Sequence, residues 1–506
     1  MGAQLRQVLV LPATVNAPSP TIATLVRYLH VPTRATVILH DIGLEAGAPL
    51  DSLAVQESVR RLRLSGLFAD VVVMGARCGT DGVDLTYRTR DAWSLRLDAR
   101  LGRSESRFAA SDLNLLGTGR AAGIQTDDFD DRRAVTISYS DPWLLNTAFQ
   151  GAASLRLYGD GQGVTWSVRT RPLTPLDRWR VSVAGAQVQR YRRDDAAGTL
   201  TDIDRHSGAI TVSRLIARTP TAAWAIVAGA EQEHIAVEIH RQYGEIGEPV
   251  RRREYGAPLL GVSRRALTFG ALDWLVPRQL LAEVPTGIEF DAAVAHGIEG
   301  TSGHLITHAN ATTSVTAIPS PDLIVSGEAH VNGYWTGDSV TNGVVRLAVT
   351  AHQRAPGGFW TFRMAHERLI RPDPDVFTLQ GLDPLARSLT PSSRLSEWAT
   401  VATVERSRVL FSSGGVWSLH GAAFVTGVDR HNTVSDVHDP LWSSRSVIVG
   451  LGLRRFFAQP TQAPLRVDLG RGISRSSRIP DRWVMAVTVS PWLNSLRGRG
   501  GARDTR

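Results

Sequence analysis

The feature that most constrains this chain is an alternation of apolar and polar residues that continues from Trp93 to Trp492. It is carried by segments of roughly ten residues, separated by Gly, Asp, Pro and Asn, with no helical periodicity between them. In one segment the apolar face is formed by Val447, Val449, Leu451 and Leu453, and the opposite face by Gly450, Gly452 and Arg454. Because successive side chains of a strand point to opposite faces, such segments have one apolar and one polar side.

The extent of the alternation favours a membrane barrel over a soluble sandwich. A sandwich domain uses about 100 residues, whereas here the pattern covers about four times that length without a linker. Lipid offers no hydrogen bonds to an open sheet edge, so strands that cross a bilayer must close into a barrel. The sequence therefore predicts an all-β transmembrane antiparallel β-barrel over residues 93–492, with about 16 strands and at most 20, followed by a disordered Arg- and Gly-rich tail over residues 493–506.

Aromatic residues near the ends of the segments fit the girdles that such barrels place at membrane interfaces. The tryptophans in such positions are Trp143, Trp179, Trp224, Trp483 and Trp492.

Composition excludes several other classes of protein. The mean hydropathy is −0.09 and no apolar run reaches the roughly 18 residues of a membrane helix. The net charge of +8 comes from arginines that are scattered along alternating segments, which argues against nucleic-acid binding. A single cysteine, Cys78, excludes an internal disulfide. Since GxSxG, GxxxxGK[ST] and HExxH motifs are also absent from the sequence, we expect neither enzymatic activity nor a cofactor or metal.

The first 92 residues have a different pattern, which predicts a small α+β domain of order β-α-α-β-β. A β-like run at 7–12 precedes a first helix within 33–47 and an amphipathic helix at 50–66. Two alternating segments, 69–74 and 83–89, flank a turn at Cys78–Gly82. The residues at the start lack the regions of a secretory signal, so export requires a leader that was removed or that lies upstream.

This domain resembles a POTRA module, a periplasmic domain that docks clients and partners. The resemblance is carried by the stretch Leu62–Val71, which reads LRLSGLFADV, and by LTYRTRDAW at 85–93.

The start of the barrel resembles the BamA and TamA superfamily of outer-membrane assembly factors, also described as bacterial surface antigen barrels. Asn114, Gly117 and Gly119 belong to a turn that matches the family's NLLGTG turn, and Asp141 and Pro142 match the DP turn two strands later. Glycine permits positive φ, and Asp-Pro presets a turn.

The resemblance extends towards the other end of the chain. Leu379, Gln380, Gly381 and Leu382 fall where the family carries the VRGF or VRGY loop that folds into the barrel lumen. The strands that seat this loop are matched by segments containing Glu405, Arg406, Phe424, Thr426 and Gly427.

Two departures from the family pattern occur together. The family's loop arginine is replaced by Gln380, and its strand acidic residue by Thr426. Replacing both partners of a buried ion pair can be nearly neutral, whereas losing one costs about 3 to 5 kcal/mol. We therefore expect a hydrogen bond between the Gln380 amide and the Thr426 hydroxyl to replace the ion pair.

The resemblance implies a function as well as a fold. It implies an assembly or insertion factor in the bacterial outer membrane, with the POTRA domain in the periplasm receiving unfolded outer-membrane or secreted clients. Outer-membrane lipid and periplasmic or lipoprotein partners are also implied. In the family the last strand pairs weakly with the first, and Pro491 fits such a seam. The alternatives are a two-partner-secretion transporter, which would pass a polypeptide through the lumen, and a passive porin.

Overall fold

The computed structural model describes most of the chain. It covers residues 4–13, 31–78, 82–92, 94–101, 105–129, 132–171, 177–194, 199–219, 221–240, 248–272, 274, 282–300, 302–337, 339–371, 398–413, 417–432, 442–457, 465–474 and 482–489. The predicted loop motif at 379–382, Trp93, Pro491, Trp492 and the tail 493–506 lie outside the described residues.

The amino-terminal domain has the predicted β-α-α-β-β order. Its elements are β1 Gln4–Ala13, α1 Ala35–Ile42, α2 Ser52–Ser65, β2 Phe68–Cys78 and β3 Gly82–Asp91. The three strands form one sheet in the order β1-β3-β2, in which β1 is parallel to β3 and β2 is antiparallel to it. Among the described residues, no helix is long and apolar enough to cross a membrane.

The core of this domain lies between the helices and the sheet. Ile38 and Ile42 of α1, Leu62 of α2, Val71 of β2 and Tyr87 of β3 are all buried. The Tyr87 hydroxyl lies 2.7 Å from Ser58 Oγ, so its polar atom has a partner inside the core. Helix α1 ends at Gly43, which adopts the left-handed conformation favoured at helix ends.

The rest of the described chain is a closed antiparallel barrel in which each strand pairs with the next and the last pairs with the first. Its strands are β4 Leu95–Leu101, β5 Glu105–Leu115, β6 Arg120–Phe129, β7 Arg132–Asp141, β8 Phe149–Tyr158, β9 Gly161–Thr170, β10 Trp179–Asp194, β11 Thr199–Arg218, β12 Ala222–His240, β13 Glu248–Ala266, β14 Thr268–Leu272, β15 Ala282–Glu299, β16 Leu305–Ser320, β17 Leu323–Thr336, β18 Ser339–Ala355, β19 Gly358–Ile370, β20 Trp398–Ser413, β21 Trp417–Asn432, β22 Trp442–Phe457, β23 Leu465–Ser474 and β24 Arg482–Val489. A short 3-10 turn, Leu144–Asn146, joins β7 to β8.

The wall of the described barrel has 20 strand positions, which we call staves, and this number is the upper end of the predicted range. Strands β13 and β14 both pair with β15 in one continuous register, from Arg264 with Phe290 to Thr268 with Thr286, so they form a single stave interrupted at Leu267. The alternation alone did not fix the number because strand length varies widely. Strands β11 and β12 have 20 and 19 residues, whereas β4 and β24 have 7 and 8.

The two faces of the wall follow the predicted alternation. On β22, Val447, Val449, Leu451 and Leu453 are exposed on the outside, whereas Ile448 and Arg454 are buried towards the lumen. An apolar outside and a polar inside are what a bilayer requires of a barrel wall.

Candidate functional site

The predicted turn at 114–119 joins β5 to β6 and contacts the amino-terminal domain. Buried Asn114 donates from Nδ2 to Thr33 Oγ1 at 2.9 Å, and its Oδ1 accepts from the Gly119 amide at 2.9 Å. The amide of Arg34 donates to the Gly117 carbonyl at 3.0 Å. This turn therefore fixes the segment that leads into α1.

Both glycines of this turn are required by the close approach of the domain. Gly117 and Gly119 have φ of 72° and 69°, a region that side chains disfavour. A Cβ at Gly117 would overlap the carbonyl oxygen of Pro32, and one at Gly119 would lie 2.9 Å from Val37 Cγ1. The motif is thus a docking turn as well as a chain reversal.

The second predicted turn, at Asp141 and Pro142, places Trp143 against the same domain. Asp141 Oδ1 accepts from the Trp143 amide at 2.9 Å, and its other oxygen pairs with Arg120 at 3.0 Å. Trp143 Nε1 donates to Asp41 Oδ1 at 3.1 Å. Trp143 therefore lies in the domain junction and not in the membrane girdle that the sequence predicted. The sequence could not distinguish the two, because both place a tryptophan near the end of a strand.

Asp41, in the last turn of α1, is the most buried charge of the junction. Its carboxylate pairs with Arg171 at 2.7 Å, and the Arg171 guanidinium lies 4.4 Å from the centre of the Trp143 ring. Burial raises the pKa of Asp41 above its ordinary value of 3.8, while Arg171 and the Trp143 N–H act in the opposite direction. Arg61 of α2 closes the cluster by donating to the carbonyl oxygens of Asp41 and Ile42 at 2.7 and 2.9 Å.

A second contact joins the domain to another part of the barrel mouth. Arg60 of α2 lies over the Phe269 ring, 3.6 Å from its centre. Phe269 belongs to β14, which continues the barrel wall on the side of the amino-terminal domain. Shortly after β14, Trp274 donates from Nε1 to the Pro321 carbonyl at 2.8 Å. The domain therefore contacts the barrel at the β5–β6 and β7–β8 turns, at Arg171 after β9, and at β14.

The lumen wall contains a buried ion cluster built around Glu405. Glu405 pairs with Arg454 at 2.8 Å and lies 3.7 Å from Arg466, and Arg454 also pairs with Asp468 at 2.6 Å. Arg466 contacts Asp468 as well. Two carboxylates are thus neutralised by two guanidiniums, all four from β20, β22 and β23.

The other residues predicted to seat the lumen loop do not all face the lumen, because some lie on the outer face of the barrel wall. Buried Phe424 packs with Ile448 over Gly450, and buried Thr426 lies 3.0 Å, oxygen to oxygen, from Thr403. A Cβ at Gly427 would meet nothing within 4 Å. Arg406 lies on the outer face, where its guanidinium is 5.5 Å from the centre of the Trp360 ring. The hydrogen bond expected between Gln380 and Thr426 stays a prediction, since Gln380 lies outside the described residues.

A second polar network lies in the lumen on β11–β17. Glu233 pairs with Arg205 at 2.8 Å and with Arg253 at 3.0 Å. Glu231 accepts from Tyr255 at 2.6 Å and lies 2.5 Å from His308 Nδ1. His308 on β16 thus meets Glu231 on β12, which ties staves together that are not neighbours in the wall.

The closure between β24 and β4 is the weakest in the described barrel. Its register pairs are Val487 with Leu101 and Thr488 with Arg100. The pairing of β4 with β5, on the other side of the same strand, comprises seven residue pairs, and no other neighbouring staves share fewer within the described ranges. We call this closure the seam.

Sequence reasoning missed the partners of these residues. No sequence motif surrounds Asp41, Arg171, Arg454 or Asp468. Their contacts depend on strand register and on the docking of the domain, which the sequence does not display locally. A signal existed only for Glu405, because its segment resembles a strand that seats the lumen loop.

The chain matches no protein-family model and no curated protein sequence. Among solved structures it is similar to BamA from Haemophilus ducreyi lacking POTRA domains 1–3, with 10% identity and a TM-score of 0.39 over 96% of this chain and 84% of that one. It is similar to CdiB from Escherichia coli, with 11% identity and a TM-score of 0.44 over 97% and 76% of the two chains. For CdiB from Acinetobacter baumannii the identity is 11% and the TM-score 0.39, over 96% and 73%. Since all three TM-scores are below 0.5, function has to be inferred from the contacts of this chain.

Proposed function

We propose that this chain is an outer-membrane assembly factor of the BamA and TamA type, in which the amino-terminal domain receives client strands and the seam helps to insert them. The domain would lie in the periplasm, and the barrel would span the outer membrane.

The seam carries the proposal. An intramolecular hydrogen bond contributes about 0.5 to 1.5 kcal/mol net. Within the described residues the seam joins two residue pairs and the β4–β5 pairing joins seven, so the described part of the seam contributes about 1 to 3 kcal/mol against about 4 to 10. Opening of the wall is therefore favoured between β24 and β4.

An opened seam would leave strand edges without partners in lipid. Such edges are costly in a membrane, because nothing else there can hydrogen-bond the backbone. A client strand that pairs with β4 or β24 would satisfy them while its own edge is covered. Binding of the client would thus offset the cost of opening.

The amino-terminal domain offers a first docking site for such a strand. Among the described residues, β2 pairs with no strand along its outer edge, and β1 is joined there at Leu5 by backbone hydrogen bonds with Gly47 and Ala48. Val72 and Met74 of β2 are 42% and 50% exposed, beside the outer edge of β2. An extended apolar segment can bind there by adding a strand to the sheet.

A disulfide across the seam tests the proposal. In a Cys78→Ser background, Leu101→Cys and Val487→Cys join two residues that face each other across the seam. The matched control joins Leu97→Cys to Ala110→Cys between β4 and β5, which are already fully paired. The readout is the rate at which an unfolded outer-membrane protein folds into vesicles that contain the barrel.

The proposal expects the oxidised seam variant to lose this acceleration, to regain it on reduction, and the control to keep it in both states. Unchanged acceleration with the seam locked would refute insertion through the seam. The alternative, a two-partner-secretion transporter, predicts that a locked seam still passes a polypeptide through the lumen. A porin would instead give a large, steady conductance and no acceleration in either variant.

A further inference from the structure

Four tryptophans lie on the outside of the barrel at the end nearest the amino-terminal domain. Each stands within the first three residues of a strand that rises from that end. They are Trp179 of β10, Trp224 of β12, Trp360 of β19 and Trp417 of β21. Trp179 and Trp360 are 52% and 46% exposed.

An arginine from the following strand lies over each of these rings. The guanidinium carbon is 5.1 Å from the ring centre for Arg214 and Trp179, 5.7 Å for Arg264 and Trp224, 5.5 Å for Arg406 and Trp360, and 4.7 Å for Arg455 and Trp417. Strand register produces the first three pairs directly, since each arginine is the cross-strand partner of its tryptophan. We call these four pairs the Arg–Trp girdle.

Backbone carbonyls hold two of these guanidiniums, those of Arg406 and Arg264, and leave some of their N–H donors unused. Arg406 donates to the carbonyls of Ser407 and Pro356 at 3.0 and 2.7 Å, and Arg264 donates to that of Ile288. An arginine has five N–H donors, so these bonds leave three on Arg406 and four on Arg264. Within the described ranges, the ion pairs found join no carboxylate to Arg214, Arg264 or Arg406.

The girdle marks one boundary of the apolar outer surface. Beyond Trp224, the outward positions of β12 are Ile226, Ala228 and Ala230 before the first polar one, Gln232. A tryptophan followed by an apolar band is the arrangement expected at a membrane interface.

The opposite end of the same wall carries acidic groups. Beyond the apolar band, the outward positions of β11–β13 include Asp202, Asp204, Glu238 and Glu254. Arg252 also faces outwards there, so on these three strands the far end carries mainly carboxylates, whereas the girdle end carries Arg214 and Arg264. An anionic headgroup is therefore favoured at the girdle end of these strands.

We propose that the Arg–Trp girdle binds the phosphate groups of anionic phospholipids in the leaflet on the side of the amino-terminal domain. The inference rests on the proposed membrane location, but not on client insertion. A guanidinium suits phosphate because its fork of donors matches two phosphate oxygens. The tryptophan holds the guanidinium in place and itself occupies the interface.

The test measures lipid selectivity around the full-length barrel in vesicles of phosphatidylcholine and phosphatidylglycerol. Spin-labelled versions of each lipid give their relative association with the protein surface. The girdle variant carries Arg214→Gln, Arg264→Gln and Arg406→Gln. The matched control carries Arg252→Gln, Arg368→Gln and Arg445→Gln, which remove the same charge from exposed outward positions at the far end.

The wild type should prefer phosphatidylglycerol. A surface arginine favours an anionic lipid about fivefold, so a ratio of about two averaged over the lipid shell is expected for the wild type and the control, and about one for the girdle variant. Equal losses in both variants would mean that net charge alone acts, and would overturn the inference, as would an unchanged ratio in the girdle variant. The client-folding assay runs in the same vesicles. A wild type without selectivity that still accelerates folding overturns this inference alone, and selectivity without acceleration overturns the insertion function alone.

Discussion

The ion pair between Asp41 and Arg171 should hold the amino-terminal domain against the barrel, and its two partners should contribute unequally. Asp41 is almost fully buried and depends on Arg171 for its charge, with Trp143 as a further donor. Arg171 also lies over the Trp143 ring and reaches the Pro142 carbonyl at 3.5 Å. Losing the arginine therefore leaves an uncompensated buried carboxylate, whereas losing the acid leaves an arginine with other contacts.

We expect Arg171→Gln to weaken docking by about 3 kcal/mol, the cost of stranding a buried charge. Asp41→Asn should cost less than about 1 kcal/mol, because the amide still accepts from Trp143 and carries no charge. The double variant should resemble Asp41→Asn, since no charge is then left unpaired.

Hydrogen exchange of the α1 amides in the folded barrel measures these energies. A loss of about 3 kcal/mol corresponds to roughly 150-fold faster exchange. The control is Asp160→Asn, which breaks a 2.7 Å ion pair between the β8–β9 turn and Arg190 of β10, away from the domain, and should leave exchange in α1 unchanged. Equal costs for the two single variants, or additive costs in the double variant, would refute the reasoning.

Three further predictions follow from the junction and the lumen. Gly117→Ala should undock the domain, which faster protease cleavage before α1 would report. Gly303 has nearly the same φ but open space around it, so Gly303→Ala should lower stability by about 1 to 2 kcal/mol without undocking. Equal effects of the two substitutions would show that φ alone matters. Glu405→Gln should lower the unfolding free energy of the barrel by about 3 kcal/mol in urea, because Arg454 and Arg466 then share one carboxylate, and no change would exclude a stabilising cluster. Burial raises the pKa of Asp41 above 3.8, so the docked state binds its proton more tightly than the undocked state. Docking should therefore weaken as pH rises from 3.8 through the raised pKa and strengthen as pH falls. Hydrogen exchange in α1 at a series of pH values should show this dependence in the wild type and not in Asp41→Asn.

Much of the architecture could be predicted because the local periodicity of apolar residues determines whether a segment forms a strand or a helix. The alternation between Trp93 and Trp492 gave the barrel, and the helical spacing at 50–66 gave α2 at Ser52–Ser65. The number of staves could not be read as reliably, because long strands such as β11 and short ones such as β4 follow the same pattern. The interruption at Leu267 also makes one stave look like two.

The candidate site was predictable only where a turn motif lies in the sequence. Gly117 and Gly119 were predicted as turn residues, but their need for glycine also comes from Pro32 and Val37, far away in the chain. Arg171 had no signal at all. Contacts of this kind depend on how two folded units meet, which periodicity does not encode.

The central claim is that a client strand pairs at the seam, and a site-specific photocross-link tests it most directly. A benzophenone side chain replaces Leu97 on β4 beside the seam, or Leu260 on β13 on the opposite wall, two outward leucines that are 63% and 67% exposed. With a client arrested during folding, we predict cross-links from position 97 and none from position 260. Equal cross-linking at both positions, or client folding that proceeds with no cross-link at position 97, would contradict the claim.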